Sequence, residues 1–335
     1  MKRIRLIGTG GTIACVQTEN GLAPRLGAAE LLDYVDGDKS GVNCIDLFKM
    51  DSSNIQPEEW CRLAGKIYKT AWDYDAIVVT HGTDTMAYTA SMLSFMLRGI
   101  RKPVVITGAQ YPIVDADSDG RENLRDALTA ARNLGGGVYI CFGSQVMLGC
   151  RTVKTRTTSI NAFESINYPV IARFTDGRFE ALHTVEPPTA EPTLALSIDP
   201  RVALVKLIPG TSTSLLDNMP ACGVRGLVVE AFGLGGVHNI RRDHTESLVK
   251  LMEQGLTVVL SSQCLYEPSS PDIYEVSRAL RDAGIIPSYD MTTEATVTKL
   301  MWARGMSGDA REIRRLMKTN IANEMMTLSP EEIAR

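Results

Sequence analysis

The chain of 335 residues lacks the features that would place it in several large protein classes. It has no run of about 18 apolar residues, so nothing in it is suited to spanning a bilayer. It opens with Met1, Lys2 and Arg3, then strand-type residues and a glycine turn, with no continuous apolar core or small-residue cleavage site; no signal peptide is expected. Histidine is scarce, with four residues (His81, His183, His238, His244), and HExxH is absent, which leaves a zinc site little support. The seven cysteines (Cys15, Cys44, Cys61, Cys141, Cys150, Cys222, Cys264) are odd in number and never spaced CxxC. That pattern fits reduced, mostly packed thiols and a cytoplasmic setting. Positive charge is not in excess either: 35 Lys and Arg against 39 Asp and Glu give −4. This argues against nucleic acid or an anionic membrane as the main partner. The one local basic cluster, Arg151, Lys154 and Arg156, reads by itself as a solvated face.

What is present is an ordinary globular composition, 44% apolar and 22% charged, at a length comfortable for two domains. Strand-like runs (Ile4 to Ile7, Ala76 to Thr80, Val104 to Thr107, Val138 to Phe142) alternate with helical ones (Pro57 to Thr70, Thr85 to Leu97, Arg121 to Asn133). The strand runs are continuously apolar, as parallel strands covered on both faces require. Residues 184–200 hold four prolines, which cannot all lie in regular elements. Beyond them the alternation resumes, with strands at Val202 to Leu207, Gly226 to Val229 and Thr257 to Ser261. Helices are expected near Thr213 to Asn218, Asp243 to Glu253, Ile273 to Asp282, Thr293 to Arg304 and Asp309 to Thr319. The expected fold class is α/β: two doubly wound, flavodoxin- or Rossmann-like parallel-sheet domains, 1–183 and 201–335, joined by a Pro-rich linker, 184–200.

Two turns carry the chemical signal. After the first apolar run comes Gly8-Thr9-Gly10-Gly11-Thr12, which places a β-branched hydroxyl residue on a glycine-rich turn. A dinucleotide fingerprint fails because Ile13 occupies the third glycine position, and no Gly-Lys-Ser/Thr follows to make a P-loop. Asn20, Gly21 and Pro24 interrupt any following helix, so residues 15–27 read as a mobile loop. The second turn, His81-Gly82-Thr83-Asp84-Thr85, follows Asp75 to Thr80 and precedes a helix. Asp84 could serve as a helix N-cap. Yet two polar turns at the C-terminal ends of parallel strands occupy the place where open α/β sheets bind ligands.

A threonine hydroxyl needs a base before it can do acyl chemistry. Lys154, in Arg151 to Thr158 (RTVKTRTT), is the better candidate, since no histidine is suitably disposed. Arg151 and Arg156 could assist if they face it. Ser52 and Ser53, in MDSSN, offer hydroxyls suited to a ligand carboxylate, just before a helix start at Pro57-Glu58-Glu59.

The motifs TGGTIA (Thr9 to Ala14), MDSS (Met50 to Ser53), HGTDTMAYTAS (His81 to Ser91), ITGAQ (Ile106 to Gln110), RTVKT and DMTTEATVTKL (Asp290 to Leu300) resemble bacterial-type L-asparaginase of the cytoplasmic type I. The resemblance covers nearly the whole chain. It implies an amidohydrolase without cofactor that converts L-asparagine and water to L-aspartate and ammonia. By motif match, Thr12 is the nucleophile that forms a β-acyl-enzyme, and Thr83, Lys154 and Asp84 form a second set that moves protons and activates water. Asp84 also matches the partner of the substrate's α-ammonium and Ser52 the group that holds its α-carboxylate. Asp51 and Ser53 flank that pocket, and Gly82 and Ala109 offer backbone groups near the amide oxygen. The family's pockets lie between subunits, which implies a homodimer or homotetramer.

Two positions depart from the family pattern. Leu22 stands where members usually carry a loop tyrosine, and Gly236 where the neighbouring subunit often donates an asparagine, with Asn239 nearby. At the position of an inter-subunit asparagine site found in some type I enzymes stand Val153 and Glu230, so weak or absent cooperativity is expected. Three alternatives remain: a glutaminase or other small amino-acid amidase; the amidase subunit of a tRNA-dependent amidotransferase; and a non-catalytic amino-acid sensor on the same fold. The amidotransferase reading calls for an extra N-terminal module and a tRNA-binding surface, which a chain that starts at its first strand and is acidic disfavours.

Overall fold

The apolar runs of the first half become neighbouring parallel strands. The structure, a computed structural model, describes residues 2–269 and 278–327. Its chain divides into two compact units, Met1–Leu196 and Ser197–Arg335. In chain order the first unit begins with β1 (Ile4–Gly10), β2 (Cys15–Thr18), β3 (Gly21–Pro24), α1 (Ala28–Asp33), β4 (Val42–Met50), α2 (Pro57–Thr70) and β5 (Ala76–Thr80). It continues with α3 (Met86–Met96), β6 (Pro103–Thr107), α4 (Gly120–Asn133), β7 (Gly137–Phe142) and β8 (Gln145–Leu148). Four short strands close it: β9 (Thr152–Lys154), β10 (Phe163–Ser165), β11 (Ala172–Thr175) and β12 (Arg178–Ala181).

Eight of these strands form one sheet in the order β12-β11-β8-β7-β6-β5-β1-β4. From β4 to β7 the neighbours are parallel; β8, β11 and β12 extend the sheet with antiparallel pairs. Every residue of β5 and β6 is buried. Strands covered on both faces need no polar alternation, which is why they read as unbroken apolar runs. Helix α2 has the opposite pattern, with Trp60, Leu63, Ala64 and Ile67 buried on one stripe and Pro57, Glu58 and Glu59 in its first turn. The parallel strands begin with β1, step outward to β4, and then return to the other side of β1 with β5. The direction of winding therefore reverses between β1 and β5, and in such sheets that reversal opens a crevice at the strands' C-terminal ends.

Two departures from the sequence expectation have simple causes. Strand β4 has no continuous apolar run because it is an edge strand with no fully buried residue. The segment read as a mobile loop, 15–27, is largely an antiparallel hairpin of β2 on β3, pairing Cys15 with Pro24 and Thr18 with Gly21. The breakers Asn20 and Gly21 mark its tight turn.

The second unit runs β13 (Val202–Lys206), α5 (Thr213–Asp217), β14 (Gly226–Ala231), α6 (His244–Glu253), β15 (Thr257–Ser262), α7 (Arg278–Asp282), β16 (Ile286–Pro287), α8 (Thr293–Met306) and α9 (Ala310–Lys318). Of the helix expected over 273–282, residues 273–277 lie outside the described residues. The sheet is parallel throughout and follows chain order, β13-β14-β15-β16, with no reversal. Its core is aliphatic, including Leu227, Val229, Leu248, Leu251, Val258 and Leu260. Between β12 and β13 no residue belongs to a regular element. Among the described residues no helix is long and apolar enough to cross a membrane.

Candidate active site

The crevice between β1 and β5 is where the two polar turns meet. Gly11 is held at φ +79°, and a Cβ there would lie 2.3 Å from Gly82 N and 2.4 Å from Gly82 Cα. Only glycine allows this approach. A Cβ on Gly82 would in turn lie 2.5 Å from Ser52 Oγ. The ends of β4, β1 and β5 are thus closed on one another, with Thr12, Ser52 and Thr83 carried on that junction. Backbone and side-chain bonds fix the arrangement: Gly11 N donates to Met50 O (3.0 Å), Thr9 Oγ1 to Thr80 O (2.7 Å) and Thr85 Oγ1 to Ser52 O (2.8 Å).

Lys154 reaches the same place from far along the chain. The turn after β8 lies against α3, where a Cβ on Gly149 would come 3.0 Å from Ala90 Cβ. From there β9 directs Lys154 so that Nζ donates to Thr83 Oγ1 at 2.8 Å and to Asp84 Oδ1 at 2.6 Å. Thr83 is buried, whereas the Asp84 side chain is 64% exposed. Asp84 is not an N-cap: α3 starts at Met86 after Thr85, and the Asp84 carboxylate is turned to the lysine. Neither arginine of the basic cluster needs Lys154 as a neighbour. Arg156 pairs with Glu164 (2.8 Å), and buried Arg151 stands over the Tyr168 ring.

The other expected residues divide into two groups. Ser52 is buried and turned to Gly82. Exposed Asp51 and Ser53 satisfy each other in a cap, Asp51 Oδ1 accepting from Ser53 N (2.8 Å) and Oγ (2.7 Å). Ala109 is fully buried after β6, and its Cβ and Ile13 Cγ1 would each be 3.1 Å from a Cβ on Gly120. It therefore lies beside the turn that carries Thr12. The Thr12 hydroxyl has no hydrogen-bond partner among the described residues, and Leu22, on β3, is 58% exposed.

His81 is excluded as a base by its own contacts. Trp60 Nε1 donates to Thr89 Oγ1 (2.9 Å), Thr89 Oγ1 meets His81 Nε2 (3.0 Å), and His81 Nδ1 meets Gly82 O (2.7 Å). An indole N–H can only donate and a carbonyl can only accept, so the neutral ring carries its proton on Nδ1. Burial pushes its pKa down to about 4. Its task is to hold the Gly82 carbonyl.

Sequence reasoning passed over Gln110 and Asp119. Gln110 Oε1 faces Thr83 Oγ1 at 3.4 Å, and Asp119 accepts the backbone N–H of Gln110 (3.0 Å) and of Tyr111 (3.1 Å). The available signal was the place of Gln110 in the ITGAQ run just beyond a buried strand.

Residues 3–186 match the family model "Asparaginase, N-terminal", and residues 201–317 match "Glutaminase/Asparaginase C-terminal domain". The chain belongs to the asparaginase family. Among asparaginase-family relatives, the L-asparaginase of Thermococcus kodakarensis is 41% identical over 96% of this chain and 99% of its own length. Its solved structure superposes with a TM-score of 0.92, at 40% identity over 97% of this chain and all of that chain. L-asparaginase 1 of Escherichia coli strain K12 is 33% identical over 97% of this chain and 98% of its own length. One component of the glutamyl-tRNA(Gln) amidotransferase of Methanopyrus kandleri is 34% identical over 97% of this chain and 75% of that component's length.

Proposed function

We propose that this chain hydrolyses L-asparagine to L-aspartate and ammonia through an acyl-enzyme on Thr12. One observation carries the reading: a lysine, a buried threonine hydroxyl and a carboxylate are hydrogen-bonded together at the sheet's reversal point, where a second threonine has no hydroxyl partner among the described residues. The Thr12 oxygen attacks the side-chain amide carbon, the C–N bond breaks, and ammonia leaves with the proton that Thr12 gave up. Water, deprotonated through the Thr83 and Lys154 pair, then attacks the ester carbon and the Thr12 oxygen regains a proton. Asp84 Oδ1 is occupied by Lys154, which leaves Oδ2 for the substrate's α-ammonium, and Ser52 serves the α-carboxylate. Backbone groups at Gly82 and Ala109 bound the amide oxygen; an oxyanion contact of this kind is worth ~10²-fold or more. With Leu22 in place of a loop tyrosine, proton transfer from Thr12 falls to the Lys154 set. The enzyme is a cytoplasmic homodimer or homotetramer, and light scattering on the purified protein tests its size.

Ammonia release from L-asparagine, L-glutamine and D-asparagine by wild type and Thr12→Ala tests the activity. Turnover of L-asparagine that is lost in Thr12→Ala is expected, whereas binding without turnover in wild type would make the chain a sensor. The amidotransferase relatives favour a second reading, an amidase subunit that feeds ammonia to a tRNA-linked reaction. Turnover of free L-asparagine by the isolated chain would argue against it, and the net charge of −4 already does.

A further inference from the structure

Thr83 is held from two sides, and the side away from Lys154 is set by a side chain with only one possible orientation. Gln110 Nε2 donates to Thr157 O at 2.9 Å and to Ser159 O at 3.1 Å. An amide nitrogen has two hydrogens, so both are used; a flipped amide would place an oxygen against two carbonyl oxygens. Gln110 Oε1 must therefore be the atom that faces Thr83 Oγ1 at 3.4 Å. The backbone beneath it is pinned as well. Both Asp119 oxygens accept from Gln110 N at 3.0 Å, and Asn123 Nδ2 ties the same carboxylate at 3.0 Å.

Thr83 has one proton. With an acceptor on the Gln110 side and the Lys154 ammonium donating at 2.8 Å on the other, that proton points to Gln110 and a lone pair points to Lys154. We infer that Gln110 is a positioning residue that holds the Thr83 hydroxyl from the side away from Lys154 and takes its proton while Lys154 is the donor; this rests on the amidase reading above, in which the same hydroxyl turns its proton to Lys154 when the lysine acts as base. The carbonyls that orient it belong to 157 and 159, in the segment that follows Lys154 directly. The stretch that carries the lysine thus sets the orientation of the hydroxyl the lysine uses.

Gln110 acts through Thr83, so its replacement lowers kcat and leaves KM within about twofold. Gln110→Met removes both the acceptor and the donors. It is expected to lower kcat ~10-fold, because Thr83 is then held from one side only, and to move the rising limb of the kcat–pH profile down by about half a unit. Gln110→Glu keeps an acceptor beside Thr83 but loses the two donated bonds and adds a negative charge. Its limb is expected to move up by about half a unit. Opposite displacements, with melting temperatures recorded for both variants, support the assignment. If both variants lose kcat equally with the limb unmoved, Gln110 only ties down the 155–161 segment and the inference is wrong while the amidase reading stands. If wild type releases no ammonia from L-asparagine, the amidase reading fails and the inference falls with it.

Discussion

Lys154 in the first unit and Lys299 in the second approach a carboxylate almost equally closely, 2.6 Å to Asp84 and 2.5 Å to Glu324. Their surroundings differ in every other respect. Lys299 and Glu324 are fully buried. Lys299 Nζ also donates to the carbonyls of Met317 (3.0 Å) and Thr319 (2.7 Å), while Glu324 accepts from the amides of Ile321 (3.0 Å) and Ala322 (2.6 Å). Such a shell leaves no valence for a ligand, and its result is to fasten residues 319–325 to α8. The Lys154 pair is open: Asp84 is exposed, Oδ2 is unoccupied, and the shared partner is a hydroxyl. A buried ion pair resists removal of either member, whereas an accessible one contributes little to folding. Close contact between opposite charges therefore does not distinguish a site from a brace. The number of unsatisfied valences does.

The strand ends of the second sheet also carry a charged pair, beside an open cavity that Lys206, Glu230, Ser262 and Thr293 line. Glu230, at the end of β14, accepts from Thr293 Oγ1 at 2.6 Å and stands 3.8 Å from Lys206. It belongs to a sheet whose strands follow chain order without reversal. In the first unit the reversal between β1 and β5 separates the crossovers, and the two polar turns meet at that point.

The sharpest test is a crossed pair of substitutions. Lys154→Met should lower kcat by ~10² to 10⁴ and cost only about 1 kcal/mol in urea unfolding. Lys299→Met should do the reverse, costing about 3–5 kcal/mol while turnover per folded molecule is unchanged. Equal effects on both properties would remove the distinction.

A third charge extends the series, because Asp126 is buried with an incomplete shell: Oδ1 takes Arg125 at 3.0 Å and Oδ2 has no partner. Burial raises its pKa to about 6. Its folded pKa is above the unfolded one, so stability declines as pH rises from about 4 to 6. His81 has the opposite sign: with its pKa lowered to about 4, its contribution is complete above about pH 6.5 and lost as pH falls to 4. The two windows overlap and oppose each other. Asp126→Asn removes one of them, so unfolding free energy measured at pH 4.5 and 6.5 should rise with pH more steeply than in wild type, by up to about 2 kcal/mol. An unchanged slope would mean that Asp126 is already charged in the folded state. The smallest effect is expected at the rim of the site, where Leu22→Tyr should leave turnover equal or raise it by about tenfold or less. Inactivation there would show that the hairpin serves another purpose.

Much of the fold was legible in the sequence because β5, β6 and β7 are covered on both faces and α2 is amphipathic, patterns that local periodicity records. The edge strand β4 and hairpin β2–β3 were not, since half-exposed strands carry little apolar signal. At the site, the glycine turns marked Thr12 and Thr83 through backbone demands that are local. What only the tertiary structure decided was which groups meet. Asp84 could have capped a helix, and only the arrival of Lys154 from 70 residues along the chain turned it into a partner. The ITGAQ run marks the place of Gln110 but not its contacts, because the carbonyls that fix its amide lie 47 and 49 residues away. Sequence determined the elements and the residues placed on their turns; packing determined the direction of each proton.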